Sequence, residues 1–417
     1  MQVQFSTLGA LIGLFLAIAL IIKKFHPAYS LMLGALVGGL IGSANLDATV
    51  NAMMTGAASM MTSVLRILTS GILAGALIKT GSAEKIASVI VEKLGKTRAL
   101  FAIALSTMII CAVGVFVDIS VITVAPIALA IGKEAGYNKE SLLLAMIGGG
   151  KAGNIISPNP NTIAVAEAFK VNLTSLMVRN IIPAICALIV TVLIARQLSK
   201  RKGLNVSDED VDLPGRKLPS FLAAIAGPIV VIVLLALRTI NITVDPMIAL
   251  PVGGLVCTLC TGHMKNFGSF SEYGLGKVMG VSILLLGTGT IAGIIKASYL
   301  QHDVVHLLQI LNMPAFLLAP ISGILMAGAT ASTTAGATVA AQTFSSVLLA
   351  KGVPALSAGA MIHAGATVID SLPHGSFFHA TGGAVNMEIG ERMRLIAFEA
   401  MVGLTSTIVS ILVYLFL

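Results

Sequence analysis

Charge is what this sequence lacks most. Of its 417 residues only 11% are Asp, Glu, Lys or Arg, while 56% are hydrophobic. A soluble domain carries about 25% charged residues. A chain of this size without a polar coat is excluded as an ordinary soluble enzyme. Its apolar runs repeatedly reach the roughly 20 residues that a membrane-spanning helix needs. Cysteine is also scarce. Cys111, Cys186, Cys257 and Cys260 all fall in apolar runs. Cys257 and Cys260 form a CxxC, but Thr-Leu between them inside a hydrophobic helix reads as packing rather than metal or redox chemistry. Leu8–Ile22 is apolar, yet no basic region precedes it and Lys23-Lys24 follows at once. That pattern suits a first spanning helix better than a cleaved signal.

Enzyme signatures are missing as well. The chain has no nucleotide-binding P-loop, no GxSxG and no HExxH. His374 and His379 are five residues apart and do not share a helical face, which argues against a zinc site. No cofactor is expected. Without an ATP-binding domain, uphill transport has to draw on an ion gradient. The formal net charge of +8 raises the question of nucleic acid, but the basic residues are distributed as orientation signals in a bilayer.

What is present is a chain written twice. "TSGILAGALI" (Thr69–Ile78) aligns with "GTGTIAGIIK" (Gly287–Lys296), and "GVFVDIS" (Gly114–Ser120) with "GATASTT" (Gly328–Thr334). "AMIGGGKAGNIISPNP" (Ala145–Pro160) aligns with "AMIHAGATVIDSLPHG" (Ala360–Gly375), all at an offset of about 215 residues. Three matches in one order at one spacing imply an internal duplication. Residues 1–197 form the first repeat, 198–218 a polar linker and 219–417 the second repeat.

Each repeat opens with two helices (8–22 and 28–46; 219–237 and 244–262) and a glycine-rich third (55–78; 277–296). A long apolar run with a small polar centre follows (99–132; 314–350). Then come a helix interrupted at proline (142–169; 356–382) and a final helix (176–196; 394–416). A straight helix over 99–132 would be about 51 Å long, far more than the ~30 Å hydrocarbon core. A re-entrant hairpin resolves this, and its tip must face protein or a water-filled cavity.

The expected fold is therefore all-α and polytopic, with five spanning helices and one re-entrant hairpin per repeat. An odd number of spans inverts the second repeat, as in many secondary transporters. Tracing sides puts most of the 26 basic residues on one face, among them Lys23, Lys24, Lys79, Lys85, Lys93, Lys96, Lys133, Lys139, Arg196, Lys265, Lys277 and Arg392. That face is expected to be cytoplasmic, with both termini outside. The acidic cluster Asp208–Asp212 in the linker reads as solvated.

Two broken helices and two hairpin tips are thus expected to meet near the midplane. Helix N-termini hold anionic groups through their free N–H groups and partial positive charge. Asn154, Ser157, Asn159, Asn161 and Thr162 supply neutral donors and acceptors in the first repeat. Ser371, His374, Ser376 and His379 do so in the second. The tips add Asp118 and Ser120, then Ser332, Thr333 and Thr334. Such a set suits a hydroxylated organic anion. Ionisable residues at membrane depth are functional candidates. Asp118, Asp370 and His363 are the candidates for carrying a coupling ion. Lys151 either balances substrate charge or pairs with Asp118 or Asp370. Glu399 reads as structural, and Arg66 either packs in the third helix or reaches an interface.

At these residues the sequence resembles the gluconate:proton symporter (gluconate permease, GntP) family, within the wider ion transporter superfamily. "GATASTTAG" (Gly328–Gly336) looks like that family's Thr-Thr motif, and "NIISPNPNT" (Asn154–Thr162) like its Pro-x-Pro segment. "VIDSLPHGS" (Val368–Ser376) is similar to a Leu-Pro-His segment of shorter relatives. The resemblance implies a homodimer in a bacterial inner membrane, with a scaffold and a transport domain that carries substrate by an elevator motion. It places substrate contacts on Ser120, Asn154, Asn159, Asn161, Ser332, Thr333, Thr334 and His374. The family has a His near the Pro-x-Pro where this chain has Asn159, which opens the way to a smaller hydroxycarboxylate than gluconate. Sodium-coupled relatives carry a Ser-Asn-Thr motif at each tip. Its absence here favours a proton over sodium, with a sodium-coupled carboxylate or amino-acid symporter as the alternative. A passive anion pore or an intramembrane enzyme built on His363, Asp370 and His374 fits less well.

Overall fold

The structure is a computed structural model. It describes residues 5–23, 25–43, 45–95, 98–207, 210, 217–237, 242, 244–300, 303, 306, 310, 314–373 and 375–417. His374 lies outside them, as do Lys24 and Lys96 of the expected basic face and Asp208 and Asp212 of the acidic cluster. The described residues contain no named strand and fold almost entirely into α-helices. Four helical stretches, Met61–Lys79, Ile181–Ser199, Met264–Lys296 and Ile389–Phe416, are long and apolar enough to cross a membrane.

One group of helices forms a framework: α1 (Thr7–Ile22), α2 (Pro27–Ser43), α3 (Leu46–Ala58), α4 (Met61–Lys79), α12 (Phe221–Ala236), α13 (Pro246–Cys260) and α14 (Phe267–Lys296). The third helix expected over 55–78 is in fact two, α3 and α4. Ser59 Oγ bonds the Gly56 carbonyl (2.6 Å) at the end of α3. The 30-residue α14 runs along both, packing also on α2. Small residues set this approach, as expected where helices gain no hydrophobic drive from leaving lipid. A Cβ added at Gly274 would lie 1.8 Å from the Gly71 carbonyl oxygen, so no side chain fits there.

The second group surrounds the two helix breaks. The run 99–132 is a hairpin, as its length requires: α6 (Ala99–Ala112) and α7 (Val117–Ala135). The chain turns at Gly114, whose φ of +109° suits glycine. Then follow α8 (Lys139–Asn154), α9 (Pro160–Ala168), α10 (Leu173–Arg179) and α11 (Ile181–Ser199). The second half supplies a matching hairpin, α15 (Leu318–Thr330) and α16 (Thr333–Ala350). Its broken helix is α17 (Ala355–Gly365) and α18 (Ser376–Gly383), followed by α19 (Ile389–Met393) and α20 (Ile396–Phe416). α8 packs on α6, α7, α11 and α20, while α16 packs on α9, α14, α15 and α17.

Two charges behave differently from the sequence reading. Asp210 is not solvated. It is buried, takes hydrogen bonds from Lys139 (2.7 Å) and from the side chain of Asn386 (3.0 Å), and thereby ties the linker to the bundle. Burial pushes its carboxyl up, but the bonds from Lys139, Ser207 and Asn386 outweigh this and hold it well below the usual carboxylate range. Arg392 is not on an open basic face either. It is fully buried, paired with Glu399 and donates to Thr381 (3.3 and 3.2 Å). Glu399, its partner, is buried with it.

Candidate functional site

The break between α8 and α9 is built by asparagines. Asn159 caps α9: its Oδ1 accepts from the backbone N–H of Asn161 (3.0 Å) and Thr162 (3.1 Å) and from the Thr162 hydroxyl (3.2 Å). Pro160 at the first helical position gives up no useful donor there. The Asn159 amide reaches back to the carbonyl (3.0 Å) and side-chain oxygen (2.5 Å) of Asn154, the last residue of α8. Asn161 Nδ2 donates to the same Asn154 oxygen (2.9 Å). The oxygen of Asn154 is thereby fully engaged, while its buried Nδ2 has no hydrogen-bond partner.

The second break, between α17 and α18, is locked to the first. Lys151 Nζ sits 2.6 Å from Asp370 Oδ1 and 2.6 Å from the Thr367 carbonyl. Of the two partners open to Lys151 in the sequence, the structure selects Asp370. Asp370 also accepts from Thr333 (2.5 Å) and Ser371 (3.2 Å). The second hairpin tip leans on the first break through a hydrogen bond from Thr334 to Asn161 Oδ1. Ala331 turns this tip with a left-handed φ of +46°, and Ser332 caps α16. A side chain at Gly375 would strike the Ala331 carbonyl, 2.4 Å from the added Cβ.

These parts enclose a cavity of about 280 Å³. Of the residues singled out in the sequence, Asp118, Asn154, Asn161, Ser332, Thr333, Thr334, Asp370 and Ser376 line it. Others stand behind the lining and hold it. Ser120 bonds the Phe116 carbonyl (2.8 Å) and Ser157 the Cys111 carbonyl (2.6 Å), while Asn159, Thr162 and Ser371 make the bonds above. His379 is turned to the Pro373 carbonyl (2.8 Å). His363 does not line the cavity. It is fully buried in α17, and neither ring nitrogen has a partner. Three helix N-termini reach the cavity: α7 through Val117 and Asp118, α16 through Thr333 and Thr334, and α18 through Ser376 and Phe377. Among the described residues no group of three His, Cys, Asp or Glu side chains could hold a metal ion.

The sequence reading missed Lys277. It sits with Gly280, Val281 and Leu284 on the framework helix α14, which closes one wall of the cavity. The third helix was expected to start there, which put Lys277 at the membrane surface. α14 instead starts at Phe267, so Lys277 lies about 15 Å along the helix. Arg66 is also placed: it pairs with Glu167 at the end of α9 and with Asp245 (2.5 Å), the cap of α13. A second cleft of about 390 Å³ opens beside them.

Broken helices around a polar cavity suit a transporter rather than an enzyme, and comparison with known proteins agrees. The model of the GntP family permeases matches residues 5–417, and the chain belongs to that family. A Haemophilus influenzae protein described as an uncharacterized transporter is 55% identical over 98% of both chains. The D-serine transporter DsdX of Escherichia coli K12 is 24% identical over 78% of this chain and 79% of its own. The L-idonate transporter of the Gnt-II system of E. coli K12 is 21% identical over 91% of this chain and 92% of its own. Among solved structures the Alcanivorax borkumensis YdaH transporter shares the fold, with a TM-score of 0.69 over 98% of both chains at 13% identity.

Proposed function

We propose that this permease is a proton-coupled symporter of a small hydroxylated carboxylate, a sugar acid such as gluconate or a shorter hydroxy acid. The observation that carries the reading is the convergence of three helix N-termini on one cavity lined by amide and hydroxyl side chains. N-termini stabilise a carboxylate without a full cation. The hydroxyls of Ser332, Thr333 and Thr334 suit substrate oxygens. Relatives that carry gluconate (23% identical over 56% of this chain) and L-idonate support the class. Asp118 is the proposed proton carrier, because Asp370 is already engaged by Lys151.

The architecture proposed with it is two inverted repeats, residues 1–197 and 219–417. It is supported by the recurrence of hairpin and broken helix in the same order. The hairpins and breaks form the moving part of an elevator and the helices around α14 its scaffold, in a homodimer in the bacterial inner membrane with both termini outside. Proteoliposome uptake of radiolabelled gluconate, with proton and sodium gradients imposed separately, tests it. Accumulation on a proton gradient alone is the expected result. Accumulation on sodium alone refutes proton coupling, and equilibration without accumulation refutes symport. Asn159→Ala and Thr334→Ala are each expected to abolish uptake while the protein still inserts; normal uptake in both sinks the site.

A second reading has its own support. Asp118 on the cavity wall offers a partner to an ammonium group, and a D-serine transporter is among the relatives. Competition of gluconate uptake by D-serine separates the two.

A further inference from the structure

Three charged side chains line the cavity, Asp118, Lys277 and Asp370, and the buried Lys151 stands against Asp370. Lys151 and Asp370 satisfy each other within the breaks. That leaves Asp118, at the start of α7, and Lys277, on the framework helix, facing the same cavity. Other ionisable groups on the neighbouring elements are committed or remote. Lys139 is held by Asp210, Glu140 by the Leu204 backbone, His379 by Pro373 and Arg66 by Glu167 and Asp245. The helix α5 (Ser82–Leu94), which packs on α7, brings two acids, Glu84 and Glu92, and two bases, Lys85 and Lys93. Lys79 lies over the Tyr273 ring (4.0 Å), and Lys277 is near the same ring (5.3 Å). Glu272, beside Lys277 on a shallow cleft, is exposed. The empty cavity is therefore close to electroneutral. An incoming carboxylate adds one negative charge that no side chain of the cavity balances.

We propose that Lys277 is an exchangeable counter-ion: it balances Asp118 while the cavity is empty and turns to the substrate carboxylate once a proton from solvent has neutralised Asp118. The inference rests on the anion reading above and gives it a coupling device. Proton and anion enter together and leave together, because either alone leaves an unbalanced charge. Lys277 belongs to α14 and not to the hairpins, so it serves the site only in the arrangement where the two face each other. Lys277 is solvent-exposed, so screening limits its effect to about tenfold in affinity.

The test is calorimetric titration of gluconate into detergent-purified full-length protein across the acid-to-neutral range, at low and high salt. Lys277→Gln is expected to weaken binding about tenfold with an unchanged melting temperature, and Lys277→Arg to keep it. Asp118→Asn is expected to bind with a flat pH profile. The double variant K277Q/D118N is expected to bind more tightly than K277Q alone, because the anion no longer meets an unbalanced Asp118. A purely structural lysine gives no such rescue. Wild-type protein that binds neither gluconate nor shorter hydroxy acids refutes the anion reading, and this proposal with it. Wild-type binding with unaltered affinity in K277Q, or no rescue by D118N, overturns the role of Lys277 and leaves the anion reading intact.

Discussion

Removing Lys151 should be among the most damaging single substitutions in this protein. Its ammonium and the Asp370 carboxylate are 2% and 4% exposed and 2.6 Å apart. At an effective dielectric constant of about 20 their attraction is about 6 kcal/mol. Much of that only offsets the loss of water, so the pair is worth little against an apolar replacement, whereas breaking it costs about 3–5 kcal/mol. Lys151→Met leaves Asp370 charged, buried and held only by the hydroxyls of Thr333 and Ser371. It also leaves the Thr367 carbonyl without its donor. Total stabilities are about 5–15 kcal/mol, so the loss takes a large share. Combining it with Asp370→Asn removes the stranded charge and keeps an acceptor for Thr333. The double variant should therefore melt above K151M, a sign that simple additivity excludes. The assay is thermal unfolding in detergent, followed for wild type, both singles and the double. A K151M variant within about 1 kcal/mol of wild type, or a double no better than the sum of its singles, refutes the reasoning.

Other substitutions probe packing and charge. A Cβ at Gly149 would lie 2.0 Å from the Ala104 carbonyl oxygen. Gly149→Val should therefore force α8 from α6 at about 3 kcal/mol or more and leave little monodisperse protein. Gly276→Ala, with nothing near the added carbon, should leave the melting temperature level or slightly raised. Asp210→Asn should cost about 2 kcal/mol at neutral pH. The Asp210 carboxyl is held below its unfolded value, so its stabilisation is present above roughly pH 4 and fades as pH falls through the lower folded value. Melting curves of wild type and D210N should converge in strong acid. Arg392→Leu strands Glu399 in the bundle and should cost about 3–5 kcal/mol. Arg392→Lys should recover only part, because the ammonium cannot reach Glu399 and Thr381 as the guanidinium fork does.

Much of this architecture was legible because it follows from length and periodicity. The hairpin over 99–132 was required by a run too long to cross straight, and it turns at Gly114. The break at Asn154–Pro160 was visible as amides and prolines inside hydrophobe, and two of its asparagines, Asn154 and Asn161, line the cavity. What the sequence hid were matters of reach. Nothing local distinguishes Ser120 and Ser157, which serve backbone carbonyls, from Thr333 and Thr334 on the cavity wall. Lys277 was misplaced because nothing in "FGSFSEYGLGK" shows that the helix begins ten residues earlier. Arg392 and Asp210 looked like surface charges, because their partners Glu399 and Lys139 come from other elements.

All sixteen residues of α8, Lys139–Asn154, are buried. Yet the helix carries four glycines, two lysines and a glutamate, and it is not among the helices apolar enough to enter lipid alone. Its place in the bilayer is a cavity made by α6, α7, α11 and α20, the last of which is synthesised some 240 residues later. The ribosome therefore delivers this segment long before its surroundings exist. Biogenesis must hold it at the membrane surface or in the insertion machinery until the C-terminal helix arrives. A chain truncated before α20 should leave α8 open to labelling reagents and to quality-control proteases.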